Sequence, residues 1–404
     1  MRISSVRQAR APGQVILSAR CKIRRLGLDD VIFKIPTEFE DFVFPDASPF
    51  AAAMLLPSMR LGEDLLIHGS ISTRLHSGMT AIVKTVSAWN VGLKMINVEA
   101  DELVADPPNS GRDATFFSGG VDSFYTYLRH KADPSRQLSH LVLVNGYDIQ
   151  RGNSALWDAT LRNIRSIAAD EQVALINIES NVRPLIEPIL PWSYSHGGCL
   201  AAAALCLRKG LDRMYVPSTY DGDNLFPWGS HPDIDHLWST ESLNIVHDGA
   251  ETSRANKVAE QIAHSPSALR YLRVCYLNER GSYNCGRCDK CLRTMLNLYL
   301  AGVLDRAETF PHSIDPGHLA TMAIDGGHGA MFHRENLAAL HARNLAPDLQ
   351  KALETSLSHV ADDAMPITQK LYNQVAYLDH CYTGGVLRKL AKRARVTAPR
   401  SWSK

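Results

Sequence analysis

The sequence predicts an α/β protein built on a parallel, doubly wound sheet. Three observations predict it. Between residues 112 and 300, short apolar runs alternate with helical patterns, the order of βαβ units. One run, Ala114-Thr115-Phe116-Phe117, leads straight into Ser118-Gly119-Gly120-Val121-Asp122-Ser123 and a helical pattern at Val121, Phe124, Tyr125 and Leu128. Near the end of the same stretch, Cys275, Cys285, Cys288 and Cys291 crowd into 17 residues.

The chain divides by pattern into residues 1–110, 111–300 and 301–404. Met1 to Gly13 holds Arg2, Arg7 and Arg10 with no apolar core behind them. It is not a secretory signal and reads as a frayed end. The rest of the first part reads as a small, separate α+β domain. Its strand candidates are Val15–Leu17, Asp30–Phe33, Phe39–Phe44, Leu65–Ile67 and a closing strand at Lys94–Val98. One helix stands out: Ser72 can cap it, and Leu75, Met79, Ile82, Val86 and Trp89 form a core stripe. Asp106 to Gly111 is a linker, because paired prolines and a glycine stop regular structure.

In the second part, Leu141–Val144 reads as a strand buried on both faces. A helix with Trp157, Leu161, Ile164 and Ala168 on one side follows, then a strand at Val173–Ile178. An alanine-rich helix spans His196–Lys209, and Arg213–Pro217 is the next strand. Leu269–Tyr276 reads as a strand carrying Cys275. The helix of Leu292, Met295, Leu296 and Tyr299 ends at Gly302. Residues 301–404 read as a helical extension. Its last 17 residues hold seven Lys and Arg and no acid, a solvated tail by default and a nucleic-acid or anionic contact otherwise.

Composition sets bounds. With 45% hydrophobic and 21% charged residues among 404, this is ordinary globular usage. A net charge of +1 gives no global electrostatic case for nucleic acid or membrane. No apolar run approaches the roughly 20 residues that span a bilayer. Clustered cysteines without a signal peptide point to metal in a reducing cytoplasm, not to disulfides.

The glycine turn carries chemistry. Adjacent glycines let backbone approach a ligand, and the helix start behind them offers unpaired N–H groups to an anion. Ser118 and Ser123 add hydroxyls, and Asp122 suits Mg²⁺ better than phosphate. The Gly-Lys-Ser/Thr ending of a Walker A loop is absent. Asn145-Gly146-Tyr147-Asp148 and Ser218-Thr219-Tyr220-Asp221 also follow strand ends, where ligands of such sheets sit. Gly119, Gly120, Val121, Asn145 and Ser218 therefore join Ser118, Asp122 and Ser123 as candidate nucleotide contacts. The cysteines are spaced C-x9-C-x2-C-x2-C, a pattern that brings four thiolates to one ion: structural zinc, or alternatively an iron–sulfur cluster.

Ser118–Ser123 resembles the pyrophosphate loop of the PP-loop ATP pyrophosphatases. With Cys285-Gly286-Arg287-Cys288-Asp289-Lys290-Cys291-Leu292-Arg293, the stretch 112–300 resembles the 7-cyano-7-deazaguanine synthase (QueC-like) family. The resemblance implies a Rossmann-like PP-loop fold, ATP with Mg²⁺, structural zinc and often a homodimer. It implies adenylation of a carboxylate with release of pyrophosphate, then attack by ammonia to give an amide or nitrile. The flanking parts lie outside it. The aspartate-cysteine-arginine-proline loop of that family is absent, and Phe226 to Trp238 stands there instead, so the acid is left open. Analogy with synthase-like proteins of bacterial defence operons also allows a protein or nucleic-acid acceptor.

Within 226–238, Asp233 or Asp235 could bind Mg²⁺ and His231 or His236 could shuttle protons. His196-Gly197-Gly198 opens its helix and could hold phosphate, or the glycines serve close packing. Arg254 or Lys257 could neutralise pyrophosphate, but solvated helix residues are the default reading, and His312, His318, His328 and His333 read as surface residues in loops. Two rival functions remain: a tRNA sulfur-transfer enzyme, which needs a free reactive cysteine near the loop or an iron–sulfur cluster, and a non-catalytic nucleotide-binding module; Cys199 and Cys206, seven apart on one helix, read as small core residues rather than that cysteine.

Overall fold

Alternating apolar residues build the first strands: Val15, Leu17, Ala19 and Cys21 are buried in one, and Val31, Phe33 and Ile35 in the next. The computed structural model describes residues 1–23, 27–107, 112–133, 138–149, 152–278, 282–324 and 326–360. In chain order the first elements are β1 (Arg2–Ala11), β2 (Gln14–Ile23), β3 (Gly27–Pro36), α1 (Ser48–Leu61), β4 (Leu65–Ser72), α2 (Thr73–Ala88) and β5 (Val98–Val104). The middle of the chain gives β6 (Asp113–Phe116), α3 (Val121–Lys131), β7 (Leu138–Asn145), α4 (Ser154–Asp170), β8 (Ala174–Ser180), α5 (Val182–Ile186), α6 (Trp192–Cys206) and β9 (Arg213–Pro217). Then come α7 (Pro232–Asp235), β10 (Asn244–Asp248), α8 (Arg254–Glu260), α9 (Pro266–Tyr271), α10 (Asp289–Leu300), α11 (Pro316–Ala320), α12 (Gly326–Ala342) and α13 (Pro347–Ser358).

The ten strands among the described residues form one sheet, ordered β10-β9-β6-β7-β8-β3-β2-β1-β4-β5. The five strands from β10 to β8 are parallel throughout. The strands of residues 1–110 form no sheet of their own. Instead β3 runs antiparallel to β8, with Phe33 opposite Ser180 and Lys34 opposite Glu179. Asn181 fastens the seam: its Oδ1 accepts from Ile32 N at 2.8 Å and its Nδ2 donates to Asp30 O at 2.8 Å. One hydrophobic core runs across the seam, from Ile3 and Leu17 to Ile178, Leu205 and Ile245.

Several predicted elements are corrected. The expected frayed end is β1, an interior strand of the sheet. Phe39–Phe44 is covered by a 3-10 turn, Thr37–Phe42, and the closing strand begins at Val98 rather than Lys94. Leu269–Tyr276 is not a strand; α9 ends at Tyr271 and an irregular segment carries Cys275. Helix α1 gives no amphipathic signal because Ser48 to Met59 is buried all round. Helix α2 matches its prediction: Ser72 Oγ accepts from Leu75 N at 3.0 Å. The basic tail and Cys381 lie outside the described residues. No described helix is long and apolar enough to cross a membrane.

The strand order creates a crevice. Chain connections leave β6 toward β7 on one side, while β9 pairs on the other. The loops after β6 and β9 therefore part company at the carboxyl edge, where such sheets hold ligands.

Candidate functional site

The glycine loop stands at that crevice. Gly119 takes φ +77°, a left-handed conformation natural to glycine. Gly120 caps α3 without a side-chain hydrogen bond, so the helix start is open. Ser123 Oγ donates to Gly120 O at 3.0 Å and tightens the turn. Val121 is a core residue, fully buried. The residues before Cys275 buttress the loop: Arg273 N donates to Gly119 O at 2.8 Å.

Asp122 faces a set of buried cations. Arg254 Nη1 lies 3.0 and 2.8 Å from its two oxygens, and Lys257 Nζ lies 3.7 Å away. Thr219 Oγ1 donates to it at 3.3 Å. Burial alone would raise the Asp122 carboxyl, but Arg254, then Lys257 and Lys290, outweigh it and hold it below the usual carboxylate range. The cations show the converse strain. Burial lowers Lys257, and burial followed by repulsion from Arg254 and Arg293 lowers Lys290. Arg293 is lowered mainly by burial as well, and lies 4.2 Å from the Phe332 ring centre.

Arg254 and Lys257 were expected in solvent. They are 2% and 1% exposed. One helical turn apart on α8, they share the face that meets the crevice, and nothing in the local sequence marks that face as inward. Ser218, predicted for nucleotide, is buried: its carbonyl accepts from Lys257 Nζ at 2.6 Å and its Oγ donates to Tyr220 O at 2.6 Å. Asn145 ends β7 with a buried Oδ1 that has no hydrogen-bond partner among the described residues. The structure thus brings Ser118–Ser123 and Ser218 together around Asp122, with Asn145 at the end of the neighbouring strand.

The four cysteines converge. The sulfurs of Cys275, Cys285, Cys288 and Cys291 lie within 4.8 Å of one another, a set that could hold a metal such as zinc. Gly286 supplies the turn at φ +68°, and Cys288 N donates to Cys285 Sγ at 3.3 Å. Hydrogen bonds from Cys285, then Cys288 and Cys291, hold Cys275 far below the thiol range, while Cys291 is pushed far above it by the same network. A divalent cation would replace those unequally shared protons. The cluster opens α10, so it also sets the positions of Lys290 and Arg293.

The C-terminal helices cover this region. His333, expected on the surface, is fully buried in α12, with Nε2 2.7 Å from Asp289 Oδ1. Phe332 stacks on Tyr220 at 5.7 Å and His328 on Phe226 at 3.4 Å. Tyr220 packs edge to face on Phe226 and on Trp228, and those two rings tilt against each other at 5.3 Å. His312 and His318 are exposed as expected.

In the 226–238 loop, Asp233 is exposed and Asp235 is buried. His231 rests against Trp89 at 5.2 Å, and His236 Nδ1 pairs with its own helix at Pro232 O. His196-Gly197-Gly198 does not open a helix, because α6 starts at Trp192. The glycines serve packing: a Cβ on Gly197 would stand 1.8 Å from Gly229 O. Cys199 and Cys206 are fully buried, and burial raises both thiols. They are core residues, not exposed nucleophiles. Comparison with protein-family models, with curated proteins and with solved structures finds no match for this chain.

Proposed function

We propose that this protein is an ATP-dependent ligase of the PP-loop kind, which adenylates a carboxylate and passes it to a nitrogen nucleophile as an amide or nitrile. The observation that carries the reading is the pair of buried cations Arg254 and Lys257, gathered on Asp122 at the open start of α3 with the half-buried Lys290 close enough to act on the same carboxylate. Surplus buried positive charge is costly unless an anion completes it. A triphosphate is the anion that a glycine loop and helix start suit best.

The roles follow from position. Backbone N–H groups of Gly120 to Ser123 and the Ser118 hydroxyl hold the pyrophosphate. Arg254 and Lys257 meet the charge that develops as the bond between the α- and β-phosphates breaks. Both Asp122 oxygens are engaged by Arg254, so we read Asp122 as the residue that orients the cations. Mg²⁺ arrives with the nucleotide in this reading. Asn145 Oδ1 is an acceptor for a nucleotide donor group. The four cysteines would hold zinc as a closed structural site, a donor set that fits it. The buried Cys199 and Cys206 favour nitrogen over sulfur as the nucleophile.

The test is pyrophosphate release from ATP by the full chain, with 7-carboxy-7-deazaguanine and ammonium as first acceptors and other carboxylates after it. Acid-dependent release is expected, lost in the Ser118→Ala/Asp122→Ala double variant while the protein stays folded. Full activity in that variant would overturn the assignment.

A further inference from the structure

The segment 272–275 runs from the end of α9 to the first cysteine without regular structure. Its backbone groups still need partners. The side chain of Asn284 supplies them. Asn284 Oδ1 accepts from Val274 N at 2.8 Å and from Cys275 N at 3.2 Å. Its Nδ2 donates to Leu272 O at 2.9 Å and to Thr309 O at 3.3 Å. A primary amide has two acceptor lone pairs and two donor hydrogens, and all four are used. Thr309 Oγ1 adds a bond to Leu272 O at 2.6 Å. An asparagine with every group engaged by backbone is a clamp.

The clamp joins two places. One is the cysteine cluster: Asn284 directly precedes Cys285, and it holds the N–H of Cys275 itself. The other is the glycine loop. Arg273, between the clamped Leu272 and Val274, donates its N–H to Gly119 O at 2.8 Å. A Cβ on Gly120 would lie 3.5 Å from Arg273 O, so the loop rests directly on this backbone. A trans peptide points its carbonyl and its N–H in opposite directions. Holding Gly119 O against Arg273 therefore turns the N–H of Gly120 away from the segment. An anion donor at the start of α3 needs that orientation.

We propose that Asn284 is the positioning residue through which the filled cysteine cluster sets the glycine loop for phosphate; this rests on the reading of that loop as a nucleotide cradle. Cys275 and Cys285 are drawn to one point when a cation fills the cluster. Segment 272–275 is then fixed against Asn284, and Arg273 keeps the Gly119 carbonyl from turning toward the anion. With the cluster empty, nothing binds the four sulfurs to one another, and the clamp loses its anchor on both sides. The metal-holding residues thus act on anion affinity through backbone contacts, and the metal itself touches no substrate in this role.

The experiment uses the full-length protein loaded with zinc. Calorimetry follows binding of Mg²⁺ and α,β-methylene-ATP, an analogue that cannot be cleaved between its α- and β-phosphates, and zinc is measured on the same samples. Asn284→Ala should keep its zinc and bind the analogue about tenfold more weakly. Asn284→Ser serves if the alanine variant does not fold. Wild type stripped by a chelator, at a temperature where its circular dichroism is unchanged, should weaken by about the same tenfold and recover when zinc is added back. Hydrogen exchange should show the Arg273 amide protected in the zinc-loaded wild type and fast in the other two forms. A clamp that served stability alone would lower the melting temperature and leave affinity and Arg273 protection as they are. Zinc-loaded Asn284→Ala that binds the analogue within about threefold of the wild type, or equal Arg273 protection in all three forms, overturns this role alone. A zinc-loaded wild type that binds no analogue overturns the nucleotide-cradle reading and this role with it.

Discussion

Arg254 Nη1 spans the two oxygens of Asp122, and the Nε of the same guanidinium is buried with no hydrogen-bond partner among the described residues. The pair is a fixed element of the crevice. Asp122 is three residues past Gly119 in the loop, so a cation from α8 is tied to the start of α3.

Removing one partner should expose that dependence. Arg254→Met leaves Asp122 partly uncompensated and should cost about 3–5 kcal/mol of stability, with Asp122→Asn in the same protein recovering much of it. Urea denaturation of the four proteins of that cycle measures the coupling. Additive losses would mean that the two side chains act independently.

The cysteine cluster predicts a metal-linked transition. Cys285→Ser and Cys291→Ser should each lower bound zinc, and a strong chelator should lower the melting temperature of the wild type. Metal analysis by mass spectrometry with parallel thermal scans checks both. A protein purified with no metal and indifferent to chelator would refute the site.

Gly197→Ala should destabilise by about 1–3 kcal/mol or more, because its Cβ would meet Gly229 O at 1.8 Å. That sign is diagnostic, since glycine to alanine inside a helix ordinarily stabilises by roughly 0.5–1 kcal/mol. Gly152→Ala is the control: nothing lies within 4 Å of its Cβ. Equal melting temperatures for the two variants would refute the close approach.

Asp248 predicts an acid limb. Burial alone would raise its carboxyl, but hydrogen bonds from His130 and Thr126 outweigh that and hold it below the ordinary 3.8. Its pKa is thus lower folded than unfolded. The contribution is complete above about pH 4 and is lost as pH falls through the folded value. Asp248→Asn should lower the melting temperature near neutral pH and flatten its fall below about pH 4. An unchanged acid limb would place the titration elsewhere.

Much of the local geometry was legible because it depends on short stretches of chain. The glycine loop, the start of α3, the Ser72 cap and the cysteine spacing are all short-range patterns, and the structure places each as read. The buried cations were not legible. A lysine and an arginine one turn apart look the same on a solvated helix as on one turned inward, and only packing of α8 against α3 and α10 decides between them.

The sequence by itself determined the α/β class, the turn that opens α3 and the four convergent sulfurs, because backbone propensity and ligand spacing act over a few residues. Only the tertiary structure decided the continuous ten-stranded sheet, the burial of Arg254, Lys257 and His333, and the meeting of Arg273 with Gly119. Those depend on contacts between segments far apart in the chain, which burial energy selects and local pattern does not encode.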